Sequence, residues 1–372
     1  MRVEHTTPPA QRFVSLRARH LTPSTKSGSS SYFFLLLFTL CFEGIIFYSF
    51  RKRHTFFALS PLEHHEALSS PDGRGIIMRS GEGDKEMETG SVVVEKVGGR
   101  SSATSCFSRY PLKFIIPKKV GSSKADAVWV YALNYGGGIV SGDHILCKFS
   151  VGDACTMVLS TQGSTKVYKS VGSKCSQQIL EARVGSDALL AIIPDPVTCF
   201  STARYYQKQV FNVSSDSNLV MVDWITSGRH ESGEKWDFDL YRSTNNIFLE
   251  DGQPLLLDTM LLEKENIGCA QKHMHNYQVL AMIVLLGPKI QYIQNLVQDH
   301  VKTIMSEQFQ HPSAAWSHQR EKADHFNTKP SFIASCSAFG PKRIGLLVRV
   351  AAETTESVYK FLRHQLAPLE PM

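Results

Sequence analysis

The sequence has eight cysteines in 372 residues, but no two of them form a CxxC pair. Zinc ribbons and thioredoxin-like redox sites depend on that close spacing, so neither class is indicated. Cysteines scattered along a long chain without crowding are typical of reduced, buried thiols in a cytosolic protein. They are Cys41, Cys106, Cys147, Cys155, Cys175, Cys199, Cys269 and Cys336.

Motifs for nucleotide and covalent chemistry are also missing. The chain has no GxxxxGK[ST] phosphate loop, no GxSxG nucleophile elbow and no HExxH metal helix. His273 and His275 in "HMHN" lie two residues apart, so on a helix they would point to opposite sides and would not share a metal. We therefore expect no catalytic residue and no tight metal site.

Most of the chain carries little net positive charge. The formal net charge is +6, and residues 1–86 alone hold 11 Lys and Arg against 8 Asp and Glu. The remaining residues are close to neutral, and no basic stripe with interleaved aromatic residues stands out. We therefore expect no binding to nucleic acid.

Residues 1–86 contain an apolar run at 32–50, followed by the basic "RKRH". The run barely reaches the roughly 20 residues that a membrane-spanning helix needs. It also contains Glu43, and placing a carboxylate deep in a bilayer costs free energy. Three interpretations remain open: a signal anchor, a cleaved targeting segment, or an extension that is not part of the working protein.

After Met87, apolar runs recur about every ten residues, with turn signals between them. In "HILCKFSVGD" the residues Ile145, Cys147, Phe149 and Val151 alternate onto one face, the period of a half-buried strand. The run "ALLAIIP" is apolar throughout and predicts a strand buried on both faces. Since no helical pattern separates these runs, the sequence predicts an all-β fold.

Two helices are predicted near the C-terminus. The segment "KIQYIQNLVQDHVKTIMSEQF" keeps apolar residues at helical spacing from Ile290 to Met305. In "ESVYKFLRHQL" the residues Val358, Phe361 and Leu362 share one face, and Thr354 or Thr355 can cap the helix.

The segment "NYGGGIVSGD" raises the question of a phosphate loop. Its glycines Gly136, Gly137 and Gly138 are followed by Asp143, an acid where phosphate requires a base. A Rossmann loop also needs a βαβ setting, which an all-β chain does not offer. We interpret the segment as a glycine turn that lets two backbones approach closely.

Two further segments carry carboxylates. Asp195 lies between two prolines in "IIPDPVTCF", which favours either a turn that ends a strand or a carboxylate held rigidly at a cavity wall. In "SGRHESGEKWDF" the charges around His230, including Arg229, Glu234 and Asp237, fit a solvated hairpin or a functional loop. Isolated carboxylates on tight turns favour a binding or conducting surface over a catalyst.

Six segments in order resemble the urease accessory protein D family (UreD, called UreH in some bacteria), and most of all its plant members. They are "CFSRYPLKFIIPKK", "YGGGIVSGD", "LSTQGSTKVYKS", "IPDPVTCFSTARYYQ", "DWITSGRHESGEKWDF" and "LEDGQPLLLDT". The resemblance covers about Met87 to the C-terminus and implies one UreD-type domain at 87–372. It also implies that Met87 is the ordinary start. Residues 1–86 would then be an extension, disordered or arising from a start-site artefact, and a membrane role becomes secondary.

The resemblance implies an all-β fold, with many strands stacked in a flattened β-helical arrangement and a small C-terminal helical part. It implies a cytoplasmic chaperone in urea catabolism, not an enzyme. Such a chaperone binds apo-urease and recruits accessory proteins F and G, of which G is a GTPase that carries nickel. The family is thought to pass nickel through an internal tunnel, so nickel(II) would be transient and no cofactor tightly bound.

The family motifs hold three carboxylates that we expect to line a nickel path: Asp143, Asp195 and Glu234. Arg229, Asp237 and the glycines at 136–138 would support the surrounding loops. Paired His or Cys ligands would trap nickel, whereas isolated carboxylates with water can release it. Two rival interpretations remain: a β-rich enzyme of unknown type, and a membrane-anchored adaptor that uses residues 32–50.

Overall fold

The computed structural model describes residues 87–117, 125–264, 276–309 and 331–369. The interpretations of residues 1–86, of the run 32–50 and of His273 and His275 lie outside these residues. The described strands are, in chain order, β1 (Gly90–Val97), β2 (Arg100–Ser108), β3 (Leu112–Ile115), β4 (Val128–Asn134), β5 (His144–Val151), β6 (Thr156–Thr161), β7 (Thr165–Val167), β8 (Ser176–Val184), β9 (Leu189–Ile192), β10 (Val197–Cys199), β11 (Arg204–Val213), β12 (Asn218–Thr226), β13 (Leu240–Leu249), β14 (Pro254–Glu263), β15 (Val279–Leu286), β16 (Phe332–Phe339) and β17 (Gly345–Ala352). The described helices are α1 (Gln291–Phe309) and α2 (Thr355–Leu366).

The chain winds between two sheets. Sheet A has the order β14-β13-β11-β8-β5-β1-β2, and sheet B the order β16-β17-β15-β12-β9-β6-β4-β3, with β10 pairing β12 and β7. Each turn of the winding adds a parallel neighbour to each sheet, from β1 through β5, β8 and β11 to β13 in sheet A. In sheet B the parallel series runs from β4 through β6 and β9 to β12. This two-sheet winding confirms the predicted all-β, stacked-sheet body.

Antiparallel strands close both ends of each parallel series. In sheet A, β2 pairs antiparallel with β1, and β14 pairs antiparallel with β13. In sheet B, β3 pairs antiparallel with β4, and β15, β17 and β16 follow β12 in antiparallel order.

The burial of the strands follows the sequence pattern. Ile145, Cys147, Phe149 and Val151 of β5 are at most 4% exposed, which confirms the predicted half-buried strand. All four residues of β9 are buried, as predicted for a strand covered on both faces. The apolar run of β15 is buried throughout because sheet B lies between sheet A and the helices.

Both predicted helices are present and pack on sheet B. In α1 the residues Ile293, Val297 and Val301 are buried, and the helix contacts β16 and β17. The N-cap of α2 is Thr354, whose side chain accepts a hydrogen bond from the Ser357 N–H at 3.3 Å. Val358, Phe361 and Leu362 of α2 are buried against the sheet, as predicted for its apolar face.

The two edges of the winding differ in their connections. The turns from sheet A to sheet B at 152–155, 185–188 and 214–217 have four residues each. The connections from sheet B to sheet A have nine to fourteen residues and lie at 135–143, 162–175, 193–203 and 227–239. We call these four connections the loop edge. Long loops on a rigid scaffold are where binding residues usually lie, and all the sequence-predicted site residues fall on this edge.

Candidate functional site

The glycine segment forms the first connection of the loop edge. Tyr135–Gly137 makes a 3-10 turn in which Gly136 and Gly137 have φ of 76° and 75°, a left-handed conformation that favours glycine. At Gly138 the reason is space, because a Cβ there would lie 2.5 Å from the carbonyl oxygen of Lys166. The next residue, Ile139, donates its N–H to that same carbonyl at 2.7 Å. The glycines therefore bring the segment against the following loop.

The Asp143 carboxylate stabilises its own turn. It accepts a hydrogen bond from the Val140 N–H at 2.8 Å, and the Asp143 N–H donates to the Val140 carbonyl at 2.9 Å. The side chain is half-buried on the loop edge. Asp143 is not among the residues that line the two cavities described below.

Glu234 forms a two-point ion pair with Arg229. The Arg229 Nε donates to Glu234 Oε2 at 3.0 Å, and Nη2 donates to Oε1. The guanidinium also lies over the Phe200 ring, 4.0 Å from its centroid. Glu234 is only 9% exposed, and the Arg229 hydrogen bonds hold the pKa of its carboxyl below the ordinary value against the opposing effect of burial. The pair fixes the 227–239 loop against the neighbouring one.

The Arg229–Glu234 pair predicts a pH-dependent contribution to stability. Because the folded-state pKa of Glu234 is lowered, its contribution is complete above the ordinary carboxyl pKa and is lost as the pH falls through the folded value. We expect Glu234→Gln to lower the free energy of unfolding by about 1–3 kcal/mol at pH 7 and by progressively less below about pH 4. Urea unfolding at several pH values measures this. Glu231→Gln, an exposed carboxylate on the same loop, serves as the control, and equal losses at every pH would contradict the prediction.

Asp237 joins two successive loops. Its carboxylate accepts a hydrogen bond from Ser201 Oγ at 2.6 Å and pairs with Lys264 Nζ at 3.1 Å. These two contacts, the Ser201 hydroxyl first, lower the pKa of Asp237. Its backbone carbonyl accepts from the Thr202 N–H at 3.0 Å. Asp237 thus ties the 227–239 loop to 193–203.

Two cavities lie between the sheets next to the loop edge. The outer cavity has a volume of about 460 Å³, and its lining includes Gly137, Gly138 and Lys166. The inner cavity has about 70 Å³, room for a few water molecules, and its lining includes Asp195 and Asp223. The two cavities are adjacent, because they share six lining residues: Ala132, Leu159, Thr161, Thr165, Gln178 and Leu180. We call the two together the passage.

Asp195 is held in place at the wall of the inner cavity. Its carboxylate accepts hydrogen bonds from Tyr359 Oη at 2.7 Å and Thr161 Oγ1 at 3.2 Å. Its N–H donates to Thr161 Oγ1 at 2.8 Å. Burial raises the pKa of this carboxyl, and the two hydrogen bonds only partly offset the effect. Of the two interpretations of "PDP", the geometry favours a rigid carboxylate at a cavity wall.

Asp223, which was not predicted from the sequence, lines the same cavity. This buried carboxylate accepts hydrogen bonds from Gln207 Nε2 at 2.8 Å, Ser243 Oγ at 2.5 Å and Asn245 Nδ2 at 2.7 Å. Burial raises its pKa despite these bonds. The signal was a single acid in the buried run "NLVMVDWIT", since an unpaired carboxylate is seldom buried without a specific reason.

The structure brings the other predicted residues together along the loop edge. Tyr168 links the glycine segment to the next loops: its hydroxyl donates to the Gly136 carbonyl at 3.0 Å, and its ring meets Phe200 edge-on at 5.2 Å. Phe200 in turn lies under Arg229. The loops that carry Asp143 and Glu234 are therefore connected by side-chain contacts, whereas Asp195 lies at the wall of the inner cavity.

The part of the chain that the structure describes contains no group of three or more His, Cys, Asp and Glu side chains that could hold a metal ion. The six described cysteines are free; Cys147, Cys155 and Cys199 are buried, whereas Cys106 is exposed. Burial raises the pKa of Cys147 to about 12, so this thiol stays protonated and is a poor metal ligand. Among the described helices, none has the length and apolar character to span a bilayer.

Comparison with known proteins gives consistent matches. The family model described as UreD urease accessory protein matches residues 88–372. Urease accessory protein D of Arabidopsis thaliana is 62% identical over 287 residues, which cover 77% of this chain and 98% of that protein. Urease accessory protein D of Oryza sativa subsp. japonica is 56% identical over 76% of this chain and 92% of that protein.

A bacterial relative extends the similarity beyond plants. Urease accessory protein UreD of an Anaeromyxobacter species is 33% identical over 76% of this chain and 85% of that protein. These relatives are named as accessory proteins, which agrees with the expected non-enzymatic role. The family match over three quarters of the chain and the higher identity to the plant proteins lead to one conclusion: the chain belongs to the UreD family of urease accessory proteins and resembles its plant members most.

Proposed function

We propose that this protein is a scaffold for urease maturation that binds apo-urease, recruits accessory proteins F and G, and conducts nickel(II) to the urease active site. Its membership of the UreD family supports a role in urease maturation. The observation that carries the conducting role is the passage, two adjacent cavities between the sheets, of which the inner one is lined by two carboxylates. We place this activity in the cytoplasm.

The chemistry of the passage suits transfer of a divalent cation better than its storage. Nickel binds nitrogen and sulfur ligands tightly, and a conduit must bind its ion weakly enough to release it. Asp195 and Asp223 supply oxygen ligands, and Gln178 and Gln207 add neutral polar groups to the inner cavity. A hydrated nickel ion passing them would be attracted without being held.

The loop-edge carboxylates are proposed to act at the start of the path. Asp143 belongs to the loop whose Gly137 and Gly138 line the outer cavity. Glu234 is connected to that loop through Tyr168 and Phe200. The negative charge of Asp143 would raise the local cation concentration beside the passage. Glu234, whose charge Arg229 balances, would act together with Arg229 and Asp237 by holding the loops in place.

Charge and loop geometry can be separated by paired substitutions. Asp143→Asn keeps an oxygen that can accept from the Val140 N–H, whereas Asp143→Ala removes it; Glu234→Gln and Glu234→Ala differ in the same way toward Arg229. We expect all four variants to lower the nickel content of urease by several-fold while apo-urease still co-purifies. The measurement is co-expression with apo-urease and the other accessory proteins, followed by metal analysis.

The comparison within each pair decides the interpretation. Loss of loading in the alanine variants alone would mean that the carboxylates serve loop geometry and not the ion. Normal loading in all four variants would remove Asp143 and Glu234 from the path.

A further inference from the structure

Two histidines meet where α1 contacts α2. His300 lies on α1 and His364 lies near the end of α2, and their ring centroids are 5.0 Å apart with an interplanar angle of 61°. Both rings approach the side chain of Gln365. The Gln365 Nε2 lies 2.5 Å from the Nδ1 of His300 and 2.9 Å from the Nδ1 of His364. Two imidazole nitrogens therefore face one point at the junction of the helices.

The hydrogen bonds show which ring atoms carry lone pairs. The amide nitrogen of Gln365 has two N–H groups and accepts no hydrogen bond, so it donates to both rings. The Nδ1 atoms of His300 and His364 accept these bonds, and in the neutral rings the proton is then on Nε2. The two Nδ1 lone pairs thus converge, as those of neutral histidines do around a metal ion.

The histidine pair is supported on one side and open to water on the other. Gln365 is 5% exposed, and the His300 ring stacks on the buried Phe361 ring with 6.0 Å between centroids. Phe361 in turn packs against Phe332 of β16 at 5.4 Å. His364 is exposed, so solvent reaches the pair from that side. Packing of this kind holds ligand side chains in place before an ion binds.

We propose that His300, His364 and Gln365 form a binding site for a Zn²⁺ ion that joins α1 to α2. The ligands would be the two Nδ1 atoms, a water molecule and, after half a turn of the terminal amide, Gln365 Oε1. Zinc commonly takes three protein ligands and one water in a tetrahedral arrangement. With Zn–N bonds of about 2.0–2.1 Å, two histidines that share such an ion have ring centres about 5 Å apart, which matches the separation in this structure.

The position of the pair favours a cation. His364 and Gln365 lie in the last turn of α2, where the carbonyl groups give a helix partial negative charge. The exposed Arg363 of the same turn opposes this effect only weakly through water. No residue of α1 or α2 lines the outer or the inner cavity. The zinc site is therefore separate from the proposed nickel route and does not depend on it.

The ligand set suits retention of an ion with moderate affinity. Imidazole nitrogens bind zinc well, whereas the isolated carboxylates of the passage suit release. An amide oxygen is a weaker ligand than a carboxylate because it carries no charge. The set has two histidines and one amide, so it differs from the groups of three His, Cys, Asp or Glu side chains that the described residues lack.

Zinc binding by the purified full-length protein tests the site. The chain has 14 histidines, so the informative quantity is the difference between variants, measured by calorimetric titration with Zn²⁺ alone and without a histidine tag. We expect wild type to bind one more Zn²⁺ per chain than the variant His300→Gln with His364→Gln. The control variant, His144→Gln with His230→Gln, removes two exposed histidines elsewhere and should bind as many ions as wild type.

Substitution of the third ligand gives a second test. Gln365→Glu supplies a charged oxygen, a stronger zinc ligand, and should tighten binding at this site by about tenfold or more. Gln365→Leu removes the oxygen but keeps an apolar side chain at this buried position, and it should weaken binding by about tenfold or more. Circular dichroism verifies that each variant is folded. Zn²⁺ should raise the unfolding temperature of wild type more than that of the double histidine variant, because an ion that binds only the folded chain stabilises it.

The outcomes distinguish a zinc site from a contact that only links the helices. If Gln365 serves solely as a hydrogen-bond donor, the double histidine variant would bind as much Zn²⁺ as wild type, and Gln365→Glu would bind it no more tightly. Either result would overturn the proposal. With Co²⁺ as the probe, wild type should show the intense visible absorption of a four-coordinate ion, and the double histidine variant should lose it. Absence of that absorption from wild type would contradict the proposal.

Discussion

Replacing Asp195 and Asp223 together with asparagine should lower the nickel content of activated urease by about tenfold or more, equivalent to about 1.4 kcal/mol or more of lost attraction. These are the two carboxylates that face the inner cavity. Without them Lys208 would be the one charged residue in the lining of the inner cavity, so a dication that loses its water there would meet no opposing charge, and the cost of that desolvation is large. Apo-urease should still co-purify, because Asp223 is buried, Asp195 is half-buried, and both line the inner cavity.

The fold should tolerate this double substitution. Burial raises the pKa of both carboxyl groups because it disfavours the charged form, so a neutral amide removes part of the desolvation cost at each position. Asparagine keeps one acceptor oxygen for Tyr359 at position 195 and for Ser243 at position 223. Asp251→Asn with Asp299→Asn removes two exposed carboxylates and is the matched control. Wild-type nickel loading in the double variant, measured by metal analysis, would show that the inner cavity is not on the route.

Trp224→Ala should destabilise the protein by about 3–5 kcal/mol, the usual cost of deleting a buried tryptophan side chain. Trp224 is buried in β12 and meets the Tyr359 ring of α2 edge-on at 4.8 Å. Its Nε1–H donates to the Pro194 carbonyl at 2.8 Å. The substitution would leave a cavity between sheet B and α2 and release the turn that carries Asp195.

Conservative variants separate packing from positioning. Trp224→Phe keeps most of the ring volume but loses the bond to Pro194, so we expect a loss of about 1–2 kcal/mol. Tyr359→Phe removes only the hydroxyl that binds Asp195, and it should reduce nickel loading more than stability. Urea unfolding measures the first effect and metal analysis the second. An unfolding midpoint of Trp224→Ala equal to that of wild type would refute the packing argument.

Local periodicity was enough to predict most elements of this fold. The alternation in β5, the continuous apolar run of β9 and the capped amphipathic α2 depend on residues within a dozen positions of one another. Such patterns follow from the geometry of a single strand or helix. The pair Asp251-Gly252 is likewise a local turn signal, and a four-residue loop joins β13 and β14 there.

The order of strands in the sheets could not be predicted from the residues alone. Parallel neighbours such as β8 and β11 pair Ser176 with Tyr205, and nothing local in either segment specifies the other. The loop edge varies from nine to fourteen residues per connection, so the winding leaves no fixed sequence period. The stacked arrangement was expected only from the family resemblance.

The candidate site was predictable only where its signals lie within a few residues of one another. The two prolines beside Asp195 were a local signal of a rigid turn. The cavity next to Asp195 is lined by strands that are distant in the sequence, so it could not be predicted. Asp223 takes hydrogen bonds from Gln207, Ser243 and Asn245 on two other strands, a network that one sequence does not reveal. By contrast, the bond from Val140 to Asp143 spans three residues and was within reach of local reasoning.

The antiparallel strands at both ends of the winding have a consequence for self-association. If the winding ended on a parallel strand, the N–H and C=O groups at the edge of that strand would be unpaired. An identical chain could pair with them, and copies could then add end to end into fibres. β2, β3, β14 and β16 end the two sheets, and each runs antiparallel to its neighbour. Shortened forms of this protein that end before β14 would lose two of those terminal strands, β14 and β16. We expect aggregation, more than the loss of any single contact, to limit the use of such forms.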